Sequence, residues 1–594
     1  MIRPSLLIGS LLPVLAGVLA AQEAPPATAG DPPARVARIA YLAGTVSLQT
    51  SGDTVWSLAS VNYPMTTGDR LYSDRGGRAE LQVGDLTLRA SEATDLTVTS
   101  LTDDFVQIGM AQGTLRLSVY RMAAGDSIEI DTPRGALTLL AAGDYRVDAP
   151  VDDSTMVVSV RTGSLQWTAG GVAQTVEGGQ AIVVSGINPI QVASTALPPT
   201  DDFDRWSADR DHALASSPSA QYVSRDIPGY SDLDAAGSWD TDAEYGPIWY
   251  PSGVGADWAP YRHGHWVWID PWGWTWVERE PWGYAPFHYG RWVYQRSRWG
   301  WCPGAWGGRP YYSPALVVFA DGSGFGAQAW FPLGPGEPYH PWYHADADYR
   351  RRMNAPTFGR VTNIAVNVNV TTINYRNRRV AFTAVPVSTF RSGLPISKRI
   401  MAVTPDQIVR SRIAPHPYVQ PGASAAAGGS LSPSRPGEHR PTFTIAPTPR
   451  AAPPLRPNTP VIVRRAVPVP RPMPEGGAGK PMKPTPILIT RHAPPPEEPS
   501  FPVRQQAMRP DVGRPLEPQQ IDNLRRGKPA GPARDSENPP HPAMPRPAPQ
   551  PPAPRAQPAP RPQEPKPRPM QAPKPAPAQK PAPQKPDRRR GPGN

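Results

Sequence analysis

The chain has 594 residues, of which 82 are Pro, 52 Gly and 18 Trp, with a single Cys. One cysteine excludes an internal disulfide, a Cys-ligated zinc site and a CxxC redox pair, and this much proline excludes one compact domain over the whole length. The net charge of +11 hides two halves: residues 22–345 carry 20 Lys+Arg against 36 Asp+Glu (−16), and 346–594 carry 40 against 14 (+26). Such asymmetry points to an interacting tail whose natural partners are polyanions.

Residues 1–21 read as a secretory signal peptide. Arg3 gives the positive start, Leu6–Leu19 an apolar stretch broken by Pro13, and Ala20 a small residue near the cut. The competing reading is an uncleaved anchor, but the stretch is shorter than the ~20 apolar residues a span needs. No later run approaches that length, so no transmembrane helix is expected in the mature chain. The expected location is the periplasm or the extracellular space of a bacterium. Export removes nucleic acid from the list of partners.

Residues 22–34 form a Pro/Ala linker. From 35 to 191 the texture is short β runs, among them RAELQV (78–83), DLTLRA (85–90), TLRLSVY (114–120), SIEIDT (127–132), MVVSVRTGSLQW (156–167) and QAIVVSG (180–186). Period-two alternation with Gly-rich punctuation predicts nine to twelve strands in an all-β domain, as packed sheets or short stacked strands.

In this stretch Gly44-Thr45-Val46, Gly68-Asp69-Arg70-Leu71, Arg78-Ala79-Glu80-Leu81, Asp131-Thr132-Pro133-Arg134-Gly135-Ala136, Gly143-Asp144-Tyr145-Arg146-Val147, Val160-Arg161-Thr162-Gly163 and Gly179-Gln180 follow in order. With these motifs the segment resembles the FecR domain family. The best-known members are membrane-spanning regulators of iron uptake, with a cytoplasmic part that controls a sigma factor. Neither that part nor a spanning helix is recognisable here, so the transmembrane relay is not carried over. The resemblance implies an extracytoplasmic β module suited to protein contact, with no catalytic residues.

Residues 192–240 read as a connector with short helices. Asp201 or Asp202 is placed to cap a helix over DDFDRWSADRDHALASS, with Trp206 and Leu214 on its apolar stripe.

The segment 241–414 is the most distinctive. Between Trp239 and Trp342 lie 15 of the 18 tryptophans. Pro260–Val267 matches Pro286–Val293 at an offset of 26, Trp272-Gly273-Trp274 matches Trp299-Gly300-Trp301 at 27, and AWFPLGPGEPYHPWY (329–343) is a candidate third echo. Trp266/Trp268 and Trp272/Trp274/Trp276 are two apart, which places each set on one face of an extended strand. A repeated Trp/Gly/Pro-rich β-hairpin is therefore expected. YGPIWYP (245–251), WAPYRHGHWVW (258–268), PWGWTWV (271–277), EPWGYAPFHYGRWV (280–293) and RWGWCPG (298–304) resemble a Trp-rich domain of unknown function that accompanies FecR domains in exported bacterial proteins.

Two readings of these aromatics are open. They build the core of a disulfide-free unit, or Trp266, Trp268, Trp272, Trp274, Trp276, Trp282, Trp292, Trp299 and Trp301, with Arg262 and Arg291 at the rim, form an exposed platform for sugar rings or a protein partner. His263, His265, His288, His340 and His344 lack the acidic or Cys partners that would complete a metal set, and Cys302 reads as a small buried group. No metal, cofactor or catalytic residue is expected. Further on, Ile364–Val370 alternates as a strand, and Thr404-Pro405 opens a capped helix.

From 415 to 594, 51 of 180 residues are Pro and aromatics nearly vanish. This composition predicts a disordered basic tail, either a solvated spacer or a tether along an anionic wall polymer.

The expected whole is mainly β. The first function expected is an exported, non-catalytic envelope binding or scaffold protein that contacts cell-wall glycan or an envelope protein. The alternative is a soluble FecR-like regulator that contacts an envelope receptor. An enzyme acting on polysaccharide is the third reading, with Asp270, Glu278 and Glu280 as its candidate acids.

Overall fold

The computed structural model describes residues 30–150, 155–186, 189–304, 309–355, 374–429, 444–447 and 487–531. The expected signal peptide, the alternating run 364–370, and residues 430–443, 448–486 and 532–594 of the expected tail lie outside the described residues.

The chain is mainly β. Among the described residues, seventeen strands run between Ala37 and Ala196. This exceeds the nine to twelve expected, because the run 156–167 is divided at Gly163, and the run 95–101 is a further strand.

Two sheets share one long strand, Phe105–Val119. Its first half pairs with Asp95–Leu101 and, in parallel, with Ser127–Thr132. Its second half pairs with Leu86–Ala90 and Gly143–Ala149. The changeover falls at Gly113, whose φ is +101°. A Cβ there would lie 2.3 Å from Thr94 Oγ1, so only glycine lets the strand cross between sheets. Leu115, Leu117 and Val119 point into the core, while Thr114, Arg116 and Ser118 face outward.

That outer face carries a row of charge. Glu80, Arg89, Arg116 and Arg146 are register neighbours on four adjoining strands. Three arginines side by side repel unless neutralised. The acidic helix Asp202–Ala215 lies across them, opened by a capping box between Asp201 and Asp204 as its sequence predicts. Asp204 takes Arg116 at 3.1 Å, Arg146 at 3.0 Å and Arg161 at 2.8 Å. Asp211 takes Arg89 at 2.8 Å, and Arg210 joins Arg89 on Glu80. The connector helix is thus a lid on the sheet, fixed by buried ion pairs.

The Trp-rich unit follows. It contains a four-stranded sheet (Gly237–Asp242, Gly246–Pro251, Arg298–Cys302, Arg291–Gln295), the hairpin Gly264–Ile269/Gly273–Glu278, and a second four-stranded sheet (Thr383–Pro386, Ala327–Pro332, Val317–Gly322, Ile413–Ala414). The helix Pro405–Arg410 begins at the Thr404 capping box as expected.

The two units do not have separate interiors. One apolar cluster runs from Val36 through the tryptophans to Leu516. Arg38, fully buried, crosses the boundary: it donates to Asn62 Oδ1 (2.8 Å) and to the Pro281 carbonyl (3.0 Å), and pairs with Asp232 at 2.6 Å. Asn62 in turn donates to the carbonyls of Glu278 and Glu280.

The expectation of a disordered tail from 415 is corrected for residues 415–429 and 487–531. Leu488 fills the space above Gly109, and Thr132 bridges to Ile489. Helices Phe501–Ala507 and Pro518–Arg525 pack against the front of the molecule. Prolines that suggest disorder by composition sit in the first turn of both helices, where a missing N–H costs nothing.

Candidate functional site

The internal repeat is a structural repeat, with three hairpin copies among the described residues. Trp266 pairs across to Trp276, Trp292 to Trp301, and Trp239 to Trp249. Two residues before the first Trp of each pair stands Gly264, Gly290 or Gly237. A Cβ on each would lie 2.7, 2.6 or 2.5 Å from the cross-strand indole of Trp276, Trp301 or Trp249. The third copy is therefore 237–251. The candidate echo at 329–343 has a different structure: a strand of the second sheet ending at Pro332, followed by turns.

The expected platform is corrected by burial. Trp266, Trp268, Trp272, Trp274, Trp276, Trp282, Trp292, Trp299 and Trp301 are all buried. Trp266 packs on Phe319, Trp330 and Phe390, and Trp274 lies 4.4 Å from the Phe390 ring, so the second sheet and the helix Val387–Arg391 cover that face. The opposite face, Val267, Thr275 and Val277, is buried too. Two-strand ribbons are marginal alone; these are stabilised by cover on both sides, which takes up the rings.

The two arginines are also structural. Arg291 is buried, gives its guanidinium to the carbonyls of Glu337 and Gly290 and to Asn354 Oδ1, and is pushed down to about 10 by burial. Arg262 donates to Thr383 Oγ1 and the Phe382 carbonyl.

The other candidates resolve similarly. Burial pushes His265 down to about 4 and His288 down to about 3. His288 Nδ1 lies 2.8 Å from the Ser313 carbonyl. Among the described residues no group of three His, Cys, Asp or Glu is arranged to hold a metal. Cys302 is buried, and desolvation pushes its thiol far up. Glu278 is buried, accepts from the Trp276 indole at 3.0 Å and the Arg279 amide at 3.0 Å, and is raised by desolvation to about 8. It is part of the hairpin's interior and not a wall of a cleft.

An accessible site lies where three parts of the chain meet. A cavity of about 330 Å³ is bounded by the first unit (Thr50, Ser51, Tyr63, Asp69), the Trp268–Trp272 turn, and the returning segment (Glu498, Phe501, Arg504, Arg525). Asp69 has both oxygens occupied by backbone amides, Ser51 and Thr66, each at 2.8 Å, and burial raises it to about 7. Asp270 accepts from the Trp268 indole at 3.1 Å and pairs with Arg504. Glu498 pairs with Arg525 at 2.7 Å, and Asp522 does so at 2.9 Å.

Three of these side chains keep a buried polar atom with no hydrogen-bond partner: Arg504 Nε, Arg525 Nε and Glu498 Oε2. These three atoms are sealed within the packing, so the site itself offers mutually neutralised ion pairs beside aromatic walls. Sequence reasoning missed it because four of its seven charged lining residues, Glu498, Arg504, Asp522 and Arg525, come from a stretch whose composition reads as tail. A signal was present: Glu517-Pro518-Gln519-Gln520 is a capping box with Pro at the first helical position, the pattern that marks Thr404–Gln407.

The molecule is therefore of the class of mainly-β proteins with a two-sheet unit fused to a hairpin-repeat unit. Residues 230–337 match a family of unknown function, DUF6600. No curated protein matches the chain. Two crystal structures of a proposed anti-sigma factor from Parabacteroides distasonis ATCC 8503 are similar to parts of it. One, at 1.65 Å resolution, has 19% identity over 22% of this chain and 59% of that chain; the other, at 2.50 Å, has 18% over 26% and 70%. Both have a TM-score of 0.20. The chain spans about three fifths of the first of these structures.

Proposed function

We propose that this chain is an exported, non-catalytic binding protein of the bacterial envelope. Its folded head takes a ligand, and its basic Pro-rich end contacts an anionic polymer of the cell wall. The observation that carries the reading is the use of the chemistry-bearing residues. The candidate acid Glu278 and the tryptophans are consumed by the interior, while the three-part junction keeps a cavity lined by ion pairs. The signal-peptide pattern supports export. The terminal segment 534–594, with 12 Lys+Arg against 4 Asp+Glu (+8), supports contact with a polyanion.

The test is retention on purified peptidoglycan sacculi, comparing the full chain with one ending at Ala533 at low and high salt. The reading expects the full chain to be retained at low salt and released by salt, and the shortened chain to lose most retention. Equal retention of the two would contradict it.

A second reading is a soluble regulator that contacts an envelope receptor. One observation favours it: the first unit already accepts an added extended segment. Thr132 bridges to Ile489, and Thr490 and His492 bond to the buried Glu129. Co-purification of a receptor that is lost on Glu129→Gln substitution would support this reading over the first.

A further inference from the structure

We infer that the outer face of the sheet built on the first half of Phe105–Val119 is a recognition site for an extended peptide. The peptide carries Leu, then Thr two residues on, then a basic residue, and Ile487–His492 is the chain's own occupant of the site. This rests on the reading of the chain as a regulator with a partner, and it names the surface and the chemistry that surface takes.

The register defines the face. Gln107, Glu129, Thr138 and Gln166 are neighbours in one row across four adjoining strands. The residues that alternate with them, Val106, Ile108, Ile128, Ile130, Leu137 and Leu165, belong to the core, so the row faces outward. The matching row of the other sheet is sealed by the helix Asp202–Ala215 and its buried ion pairs. This row is covered by Ile487–His492 instead.

The segment is held as a peptide is held. Ser127–Thr132 has a strand on each side, so the segment adds no full ladder and makes one bridge, Thr132 to Ile489. Side chains of the face do the rest. Glu129 Oε1 accepts the amides of Arg491 at 2.9 Å and His492 at 3.2 Å, and Gln107 Nε2 donates to the His492 carbonyl at 2.9 Å. Those groups exist in any peptide. Selectivity comes from the side chains. Leu488 sits over Gly109, where a Cβ would lie 3.0 Å from its Cδ1. Thr490 Oγ1 lies 3.0 Å from Glu129 Oε1 and accepts from Gln107 Nε2 at 2.7 Å. Arg491 donates to Thr138 Oγ1 and Gln166 Oε1, each at 3.0 Å, and His492 Nδ1 lies 2.5 Å from Glu129 Oε2. Main-chain bonds for affinity and side-chain sockets for specificity are the division of labour of extended-peptide recognition.

The face is also built to be uncovered. Gln107, Glu129, Asp131, Thr138 and Gln166 remain wettable when bare. Leu488 is fully buried, but Ile487 is 44% exposed and the His492 side chain 53%. Lifting the segment therefore exposes little apolar surface, and an equivalent peptide replaces its contacts one for one. The segment of a second copy gains nothing over the chain's own, which is tethered at high effective concentration. A partner whose peptide is joined to further contacts does gain.

The experiment is fluorescence anisotropy with a labelled peptide of residues 487–493 (ILITRHA). It is added to the full chain and to the full chain carrying Leu488→Asp and Thr490→Asp, which set carboxylates against Gly109 and Glu129 and lift the segment. The variant is expected to bind with Kd on the order of 10 µM. The parent is expected to bind at least about tenfold more weakly, because its own segment competes. Adding Glu129→Gln to the variant is expected to weaken binding about tenfold. Amide hydrogen exchange in the variant is expected to rise across 487–492 and to hold across 105–119. The inference is overturned if the released variant does not bind the peptide at about 1 mM. Continued protection of 487–492 in the variant, or loss of its fold, overturns it as well, since the segment is then not exchangeable. A parent that is dimeric by sedimentation and monomeric as the variant assigns the face to a second copy and overturns it too. Receptor co-purification is measured on the same chains. Co-purification without peptide binding sinks the site inference alone; peptide binding without a co-purified receptor sinks the regulator reading alone.

Discussion

Gly264 faces the indole of Trp276 across its hairpin, and a Cβ at that glycine would stand 2.7 Å from Cζ2 of the ring. The same relation joins Gly290 to Trp301 and Gly237 to Trp249. Glycine two residues before a tryptophan is what lets each narrow ribbon hold a large ring flat against its own backbone.

Gly264→Ala forces the ring or the strand to move and is expected to destabilise the fold by about 1–3 kcal/mol. Gly290→Ala is expected to cost more, because Gly290 also has φ +68°. Gly324→Ala, with nothing within 4 Å, serves as the neutral reference. Urea unfolding followed by tryptophan fluorescence measures all three.

Asp204 is the hub of the helix-on-sheet contact, with three arginines within 3.1 Å. Asp204→Ala leaves Arg116 buried without this carboxylate and is expected to cost about 3–5 kcal/mol. Asp202→Ala, whose carboxylate is exposed, is expected to change stability by less than about 0.5 kcal/mol. Thermal unfolding of the two variants separates the cases.

Glu278 gives a pH dependence with a definite sign. Its carboxyl is raised from 4.5 to about 8 in the fold. Protons are bound more tightly in the folded state, so its contribution is fully present below about 4.5 and is lost as pH rises through about 8. Glu278→Gln cannot ionise and is expected to flatten the decline of stability across that window. An unchanged slope in a pH series of denaturation midpoints would count against a protonated Glu278.

The returning strand, Ile487–Thr490, is held by a cluster of polar groups. Glu129, buried, accepts from Thr490 Oγ1 at 3.0 Å and the Arg491 amide at 2.9 Å, and His492 Nδ1 lies 2.5 Å from it. Gln107 Nε2 reaches Asp131 at 2.9 Å and Thr490 at 2.7 Å. Thr490→Val is expected to raise amide hydrogen exchange across 487–507 by about tenfold or more, while exchange in 105–119 stays within about twofold. Parallel rises in both segments would mean that the strand is not a separately removable element.

Much of the architecture was legible because it rests on local rules. Period-two runs placed the strands, the Asp201 and Thr404 caps placed two helices, and the 26-residue offset exposed the hairpins. The direction of the tryptophans was not legible. Spacing places Trp266 and Trp268 on one face, but it does not say that Phe319, Trp330 and Phe390, which come later in the chain, will cover that face. The cavity was hidden for a related reason. Arg504 lies 234 residues from its partner Asp270, in a stretch whose proline content argued for disorder.

The tryptophans of the hairpin repeat are interior and form no exposed platform. Iodide quenching of native tryptophan fluorescence, with and without soluble peptidoglycan fragments, tests it most directly. The account predicts shallow quenching from the few partly exposed rings, such as Trp56, Trp206 and Trp239, and no further protection when fragments are added. Deep quenching that the fragments suppress would put the tryptophans on the surface and contradict the account.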